Sequence, residues 1–272
     1  MNIRKVTAGR GAGWITDGIK VFSSQPRAYV LACLIIGVIS SLPLVGILIG
    51  LVMPVFYGGL LSLLRRQATG GVPSPGQAFD GFQQPGAFGR LLPIVLVNLA
   101  LAVVVVVAVV AVIGTVVYQL IQSGQSIETH PELLLPYVSR FVMLLLVLMP
   151  VAILFGWILM LAIPHAMLDD VPGLAAIGDA WSALVANIAP LLVNLICLII
   201  IMGILMLIML VPLLALGMLQ QHSAGIGMLL QIPIASAFTA GILMIYCAIM
   251  YQAWLEIFGP ENTAVANDQV LI

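Results

Sequence analysis

Few residues in this chain can move a proton, hold an ion or bind a charged group, so the candidates are quickly named. His165 and Asp169 stand four apart in PHAMLDDVPG, with Asp170 beside them. On a helix that spacing puts His165 and Asp169 on one face and offers two metal ligands. Two ligands do not make a metal site, and no His or Cys cluster elsewhere in the chain adds to them. The expectation is a helix end that meets water, without a metal or any other cofactor.

Asp17, Asp80 and Asp179 each sit within two residues of a hydrophobe on either side, in WITDGIKVF, QAFDGFQQPGAF and AAIGDAWSAL. One reading is helix N-terminal support or a solvated face. The other is three carboxylates gathered to bind a cation or a basic partner. Arg27, Arg65, Arg66 and Arg90 make the most basic surface of the chain. Such residues set topology by snorkelling, and basic clusters beside a membrane also attract anionic headgroups. These four arginines and three aspartates are the candidate lipid-binding or partner-binding residues.

Asn98 and Asn194 lie inside apolar stretches and form a candidate intramembrane polar pair. An unpaired amide is costly in lipid, so each needs a partner. An interhelical hydrogen bond would supply one, and a polar path through the bundle would supply another. No Gly-x-Ser-x-Gly, HExxH or phosphate-loop motif is present, so the chain reads as a protein that is not an enzyme. A formal net charge of −1 gives no footprint for nucleic acid.

The elements that position these residues follow from the scarcity of charge. Only 7% of residues are Asp, Glu, Lys or Arg, against about a quarter in ordinary soluble domains. The windows 28–64, 91–127, 141–168 and 180–255 carry none at all. A helical crossing needs about 20 apolar residues. Window 28–64 is too long for one crossing and breaks at Ser40-Ser41-Leu42-Pro43. It holds either two full spans or a re-entrant hairpin. Window 180–255 breaks around Gln220-Gln221-His222-Ser223. The pattern predicts an all-α integral membrane protein with six transmembrane helices in three hairpins. A β-barrel would require alternating polar residues, which these windows lack. Cys33, Cys197 and Cys247 all fall in apolar windows and read as small buried hydrophobes. The polar first 27 residues carry no evident cleavable signal.

With the N-terminus inside, eight of the nine Lys and Arg residues fall on the inner side, and only Arg140 falls outside. The positive-inside rule therefore predicts cytoplasmic N- and C-termini. The outer connection, 123–136, carries Glu128, His130 and Glu132.

Three similar units are expected within a single membrane domain, near 13–66, 73–168 and 172–258. Each opens with a semi-polar stretch bearing one of the three aspartates. LVNL occurs at 96–99 and 192–195, and MPV at 53–55 and 149–151. Trp14, Ile15, Gly18, Ile19 and Phe22 recur at helical spacing, as do Leu174, Ile177, Trp181, Leu184 and Val185. Each stretch predicts an interfacial amphipathic helix ahead of its hairpin. Pro85 and Gly86 shorten the second copy.

The order of elbow helix, hairpin with a mid-span proline, Arg-Arg and Gly-Phe segment is densest in MPVFYGGLLSLLRRQATGGVPSPGQAFDGF, 53–82. In this the chain resembles an uncharacterised family of six-span inner-membrane proteins of proteobacteria. More distantly it is similar to the membrane domain of some glycerophosphodiester phosphodiesterases. The resemblance implies a six-span fold in a bacterial inner (plasma) membrane and carries over no catalytic residue. The expected partners are membrane lipids or another membrane protein, met through the cytoplasmic face. A transporter or channel-like role, with a polar path near Asn98 and Asn194, is the alternative.

Overall fold

A computed structural model describes residues 3–42, 44–123 and 135–259. The charged part of the outer connection (Glu128, His130, Glu132), Pro43 and the tail from 260 lie outside the described residues. Among the described residues the chain is helical, with no strand. In chain order the helices are α1 (Arg10–Ser24), α2 (Pro26–Ser40), α3 (Val45–Ala68), α4 (Asp80–Gln83), α5 (Ala87–Ser123), α6 (Leu135–Leu168), α7 (Gly173–Ala186), α8 (Ile188–His222) and α9 (Ala224–Ile257). A 3₁₀ turn, Pro75–Phe79, precedes α4. The 3₁₀ turn and α4 come before the long helices α5 and α6, and the shorter apolar helix α7 comes before α8 and α9, whereas α1 and the α2 that follows it have 15 residues each.

This is an all-α integral membrane protein. Five helical segments are long and apolar enough to cross a bilayer: Val45–Ala68, Ala87–Gln119, Val138–Leu168, Ile188–Gln220 and Leu230–Ile257. The first predicted span is the exception. Helix α2 has 15 residues, so it rises only about 22 Å against a hydrocarbon core of about 30 Å. It bends from α1 by 105° at Gln25, where Pro26 opens the second helix. Proline fixes its own φ and disfavours helical backbone at the residue before it, so the chain turns there.

The chain forms two compact units. The first comprises 1–95 and 158–272, and the second comprises 96–157. In the second unit, parts of α5 and α6 expose Val103, Val106, Val107, Val110, Leu146 and Val147. A helix that is apolar all round belongs in lipid.

The first unit carries the charged residues at one end. The C-terminal ends of α3, α6 and α9 meet the N-terminal ends of α5 and α8 there, with α1, α4 and α7 around them, as the polar contacts below show. Helix α1 buries Gly11, Trp14, Ile15 and Gly18. Helix α7 turns most of its apolar stripe outward and packs through its small residues. It buries Gly173, Ala176, Ala180, Ala183 and Leu184, while Leu174, Trp181 and Val185 stay exposed. Small residues allow close packing against protein, and the large apolar ones are left for the membrane interface. The three cysteines are free, as expected of small hydrophobes in spans.

Candidate functional site

At the charged end of the first unit, the last turn of α3 faces the turn after α6. Arg65 Nη1 donates to the Leu168 carbonyl at 2.5 Å, and its guanidinium lies 5.8 Å from the Trp254 ring centroid. Arg90, one turn into α5, donates through Nε to the Ala166 carbonyl at 3.2 Å and pairs with Asp170 at 2.6 Å. Asp170 holds φ at +59°, the left-handed region that aspartate tolerates better than most residues. That turn lets the chain leave α6 with its carboxylate directed at Arg90.

These contacts frame a polar cavity of about 540 Å³. Ser62, Arg65, Arg66, Asp80, Gln84 and Asp170 line it. The volume falls within the range of ligand pockets, about 300–1,000 Å³. Asp80 Oδ2 accepts from Ser62 Oγ at 2.7 Å and from Gln84 Nε2 at 2.9 Å. No hydrogen bond reaches Asp80 Oδ1, and none uses the Arg66 guanidinium, among the described residues. Asp80 is held at its level because Gly59 of α3 approaches the 3₁₀ turn: a Cβ there would stand 2.1 Å from the Ala78 carbonyl oxygen. Two residues after Asp80, Phe82 stacks on Phe88 at 6.0 Å and meets Phe56 edge-on at 5.2 Å. Both Phe82 and Phe88 remain exposed.

A second polar cluster lies at the same end but is closed. His165 is fully buried, contrary to the expectation that it meets water. Its Nδ1 lies 2.7 Å from Asp169 Oδ2 and its Nε2 lies 3.2 Å from Asp179 Oδ2. The ring stacks on Phe258 at 4.5 Å, and Trp254 Nε1 donates to Asp169 Oδ2 at 2.6 Å. The fold closes over His165 because α7 turns back and brings Asp179 to its free nitrogen. No three His, Cys, Asp or Glu side chains are placed so that they could hold a metal ion among the described residues.

A third cluster anchors the N-terminus. Arg10 Nε donates to Glu256 Oε1 at 2.9 Å, and Arg10 Nη2 pairs with Asp17 at 2.7 Å. Lys20 pairs with Asp17 at 3.0 Å, and Trp14 Nε1 donates to Glu256 Oε2 at 2.9 Å. The hydrogen bond that Arg10 donates to Glu256, against the cost of burial, pushes the Arg10 guanidinium above its ordinary range. Burial alone would raise the Asp17 carboxyl, but the hydrogen bonds and charges of Arg10 and Lys20 hold it below its ordinary 3.8. The segment before α1 is tied down as well. Arg4 Nη2 donates to the Leu255 carbonyl at 2.6 Å, and the Val6 amide donates to Asn187 Oδ1 at 2.7 Å.

The sequence candidates are therefore distributed as follows. Arg65, Arg66 and Asp80 line one cavity, and Arg90 reaches it through Asp170. Arg27 lines a separate hollow of about 340 Å³ with Ser24, Gln25, Pro26, Ala28 and Pro73. The three aspartates have three different settings: Asp17 with Arg10, Asp80 with Ser62, Asp179 with His165. Asn194 is fully buried and donates to the Gly11 carbonyl at 3.0 Å. Asn98 is half-buried in the second compact unit, and neither asparagine lines either cavity.

No family model matches the chain, and no curated protein or solved structure matches it either. The site is therefore read from its own geometry. Arg10, Glu256, Asn187 and Trp254 escaped the sequence reading. Arg10 and Glu256 are 246 positions apart, and no local pattern joins them. One signal was available: Glu256 is the first charge after the window 180–255 and so marks where that span ends.

Proposed function

We propose that this protein binds the phosphate-bearing headgroup of a membrane phospholipid in the polar cavity formed by α3, α4 and the turn after α6. One observation carries the reading. The Arg66 guanidinium, with its five donors, lines the cavity without a hydrogen-bond partner among the described residues, next to helices built to lie in lipid. Planar guanidinium groups match phosphate oxygens in a bidentate way. Arg65 holds the wall with one donor and keeps others for the ligand. Phe82 and Phe88, exposed on the elements that carry Asp80 and Arg90, are rings of the kind that favour the membrane interface.

On this reading the charged end faces the cytoplasm of a bacterial cell, the protein sits in the inner membrane, and it works by binding rather than by catalysis. The polar-path alternative finds less support, because Asn194 donates to the Gly11 carbonyl in a fully buried helix contact and lines neither cavity. The test is lipid binding by the purified protein in neutral detergent, titrated with a short-chain phosphatidylglycerol. Replacing both Arg65 and Arg66 by Gln should weaken binding at least tenfold, about 1.4 kcal/mol. Unchanged affinity in a variant that unfolds at the wild-type temperature would overturn the proposal.

A further inference from the structure

The cavity holds more than an anion site. Asp80 carries a carboxylate whose Oδ2 is fixed by Ser62 and Gln84 while Oδ1 remains open, and both Asp80 and Arg66 line the same space. A pocket meant for a simple anion has no use for a second, negative wall, since a carboxylate repels phosphate at short range. Asp170 does not add to that wall, because Arg90 neutralises it. The lining then presents two cations, Arg65 and Arg66, and one available anion, Asp80. Its complement is a ligand with a negative group and, a short way from it, a positive one.

We infer that the cavity recognises an aminophospholipid headgroup, with the phosphate on Arg66 and Arg65 and the primary ammonium on Asp80 Oδ1. This inference rests on the phospholipid reading above and sharpens it. The ammonium matters as a donor as well as a charge. Asp80 Oδ1 accepts a charge-assisted hydrogen bond, which a primary ammonium can donate and a quaternary one cannot. Ser62 and Gln84 contribute by holding the carboxylate in one orientation, so little ordering is left to be done on binding. They are positioning residues for Asp80.

The experiment uses the full-length protein in neutral detergent, with short-chain phosphatidylethanolamine, phosphatidylcholine and phosphatidylglycerol as separate probes. The wild type should bind the ethanolamine lipid about tenfold more tightly than the choline lipid, which has the same phosphate and net charge. Equal affinities for those two would overturn the inference without any variant. Asp80→Asn should bring ethanolamine and choline lipids to within about twofold while phosphatidylglycerol binding is kept or strengthened. An Asp80→Asn protein that keeps the wild-type ethanolamine preference would also overturn it. Free phosphoethanolamine distinguishes the source of the headgroup. Competition only at concentrations far above those of the lipid supports a lipid ligand, and competition at equal concentration contradicts it. These outcomes separate the two levels: Arg65→Gln with Arg66→Gln should lower affinity for all three lipids alike, and failure there removes the phospholipid reading itself.

Discussion

Two clusters of polar side chains show what single residues contribute. His165 sits between Asp169 and Asp179, with a carboxylate oxygen facing each ring nitrogen. Asp169 keeps the Trp254 donor and both carboxylates reach water, so the main cost of removing the ring is the cavity left where it is fully buried against Phe258. His165→Ala should therefore lower the unfolding temperature clearly, while His165→Gln, which keeps a donor, should lower it less; calorimetry in detergent checks both. Asp17 gives a pH dependence with a definite sign. Its folded pKa lies below the unfolded value of 3.8, so its contribution is fully present above that pH and is lost as pH falls through the folded value. Thermal stability of the wild type should drop more steeply below about pH 4 than that of Asp17→Asn, which lacks this titration. Parallel acid limbs in the two proteins would contradict the assignment.

Among elements, the joint between α1 and α8 depends on a missing side chain. A Cβ on Gly11 would lie 2.0 Å from the Pro190 carbonyl oxygen, a backbone atom that cannot give way. Gly11 also offers its own carbonyl to the buried Asn194 amide. Gly11→Ala should separate α1 from α8 and make the segment before it sensitive to protease, at a cost above about 2 kcal/mol. Gly241→Ala is the control. Nothing lies within 4 Å of its Cβ position, so stability should stay within about 1 kcal/mol.

The same scale shows what a sequence of this kind discloses. The five long apolar helices follow from the charge-free windows, because lipid leaves a backbone few alternatives to a helix. The break near Ser40 was visible in its residues, and it separates α2 from α3. The face buried by α7 was not visible. Periodicity marks an apolar stripe but does not say whether lipid or protein covers it, and here the alanines took the protein side. The cavity was half legible. Arg65, Arg66 and Asp80 stood out as charges in a chain that has few, but Ser62, Gln84 and Asp170 became part of a site only once α4 folded against α3 and the α6 turn. The closure over His165 needed Asp179 and Phe258 from distant positions, which no spacing rule supplies.

For the whole molecule, apolar surface and charge have separate places. Helices α5, α6 and α8 expose valine, leucine and isoleucine over much of their lengths, while the ion pairs of Arg10 and Arg90 and the hydrogen bonds of His165 gather at one end of the first unit. A bilayer would accept that arrangement with the charged end at a headgroup layer, and the orientation we propose makes that layer the cytoplasmic one. Val72 is four-fifths exposed, in the connection between α3 and the 3₁₀ turn. A Val72→Cys protein should resist a membrane-impermeant maleimide in intact cells and react in inside-out vesicles. Labelling in intact cells would reverse the orientation. The binding account itself is tested most directly by an experimental structure of the protein in nanodiscs of native lipid. It predicts a headgroup in the cavity, its phosphate within about 3 Å of the Arg66 guanidinium and its amine at Asp80. Ordered lipid along the apolar helices, with only water between Arg66 and Asp80, would contradict it.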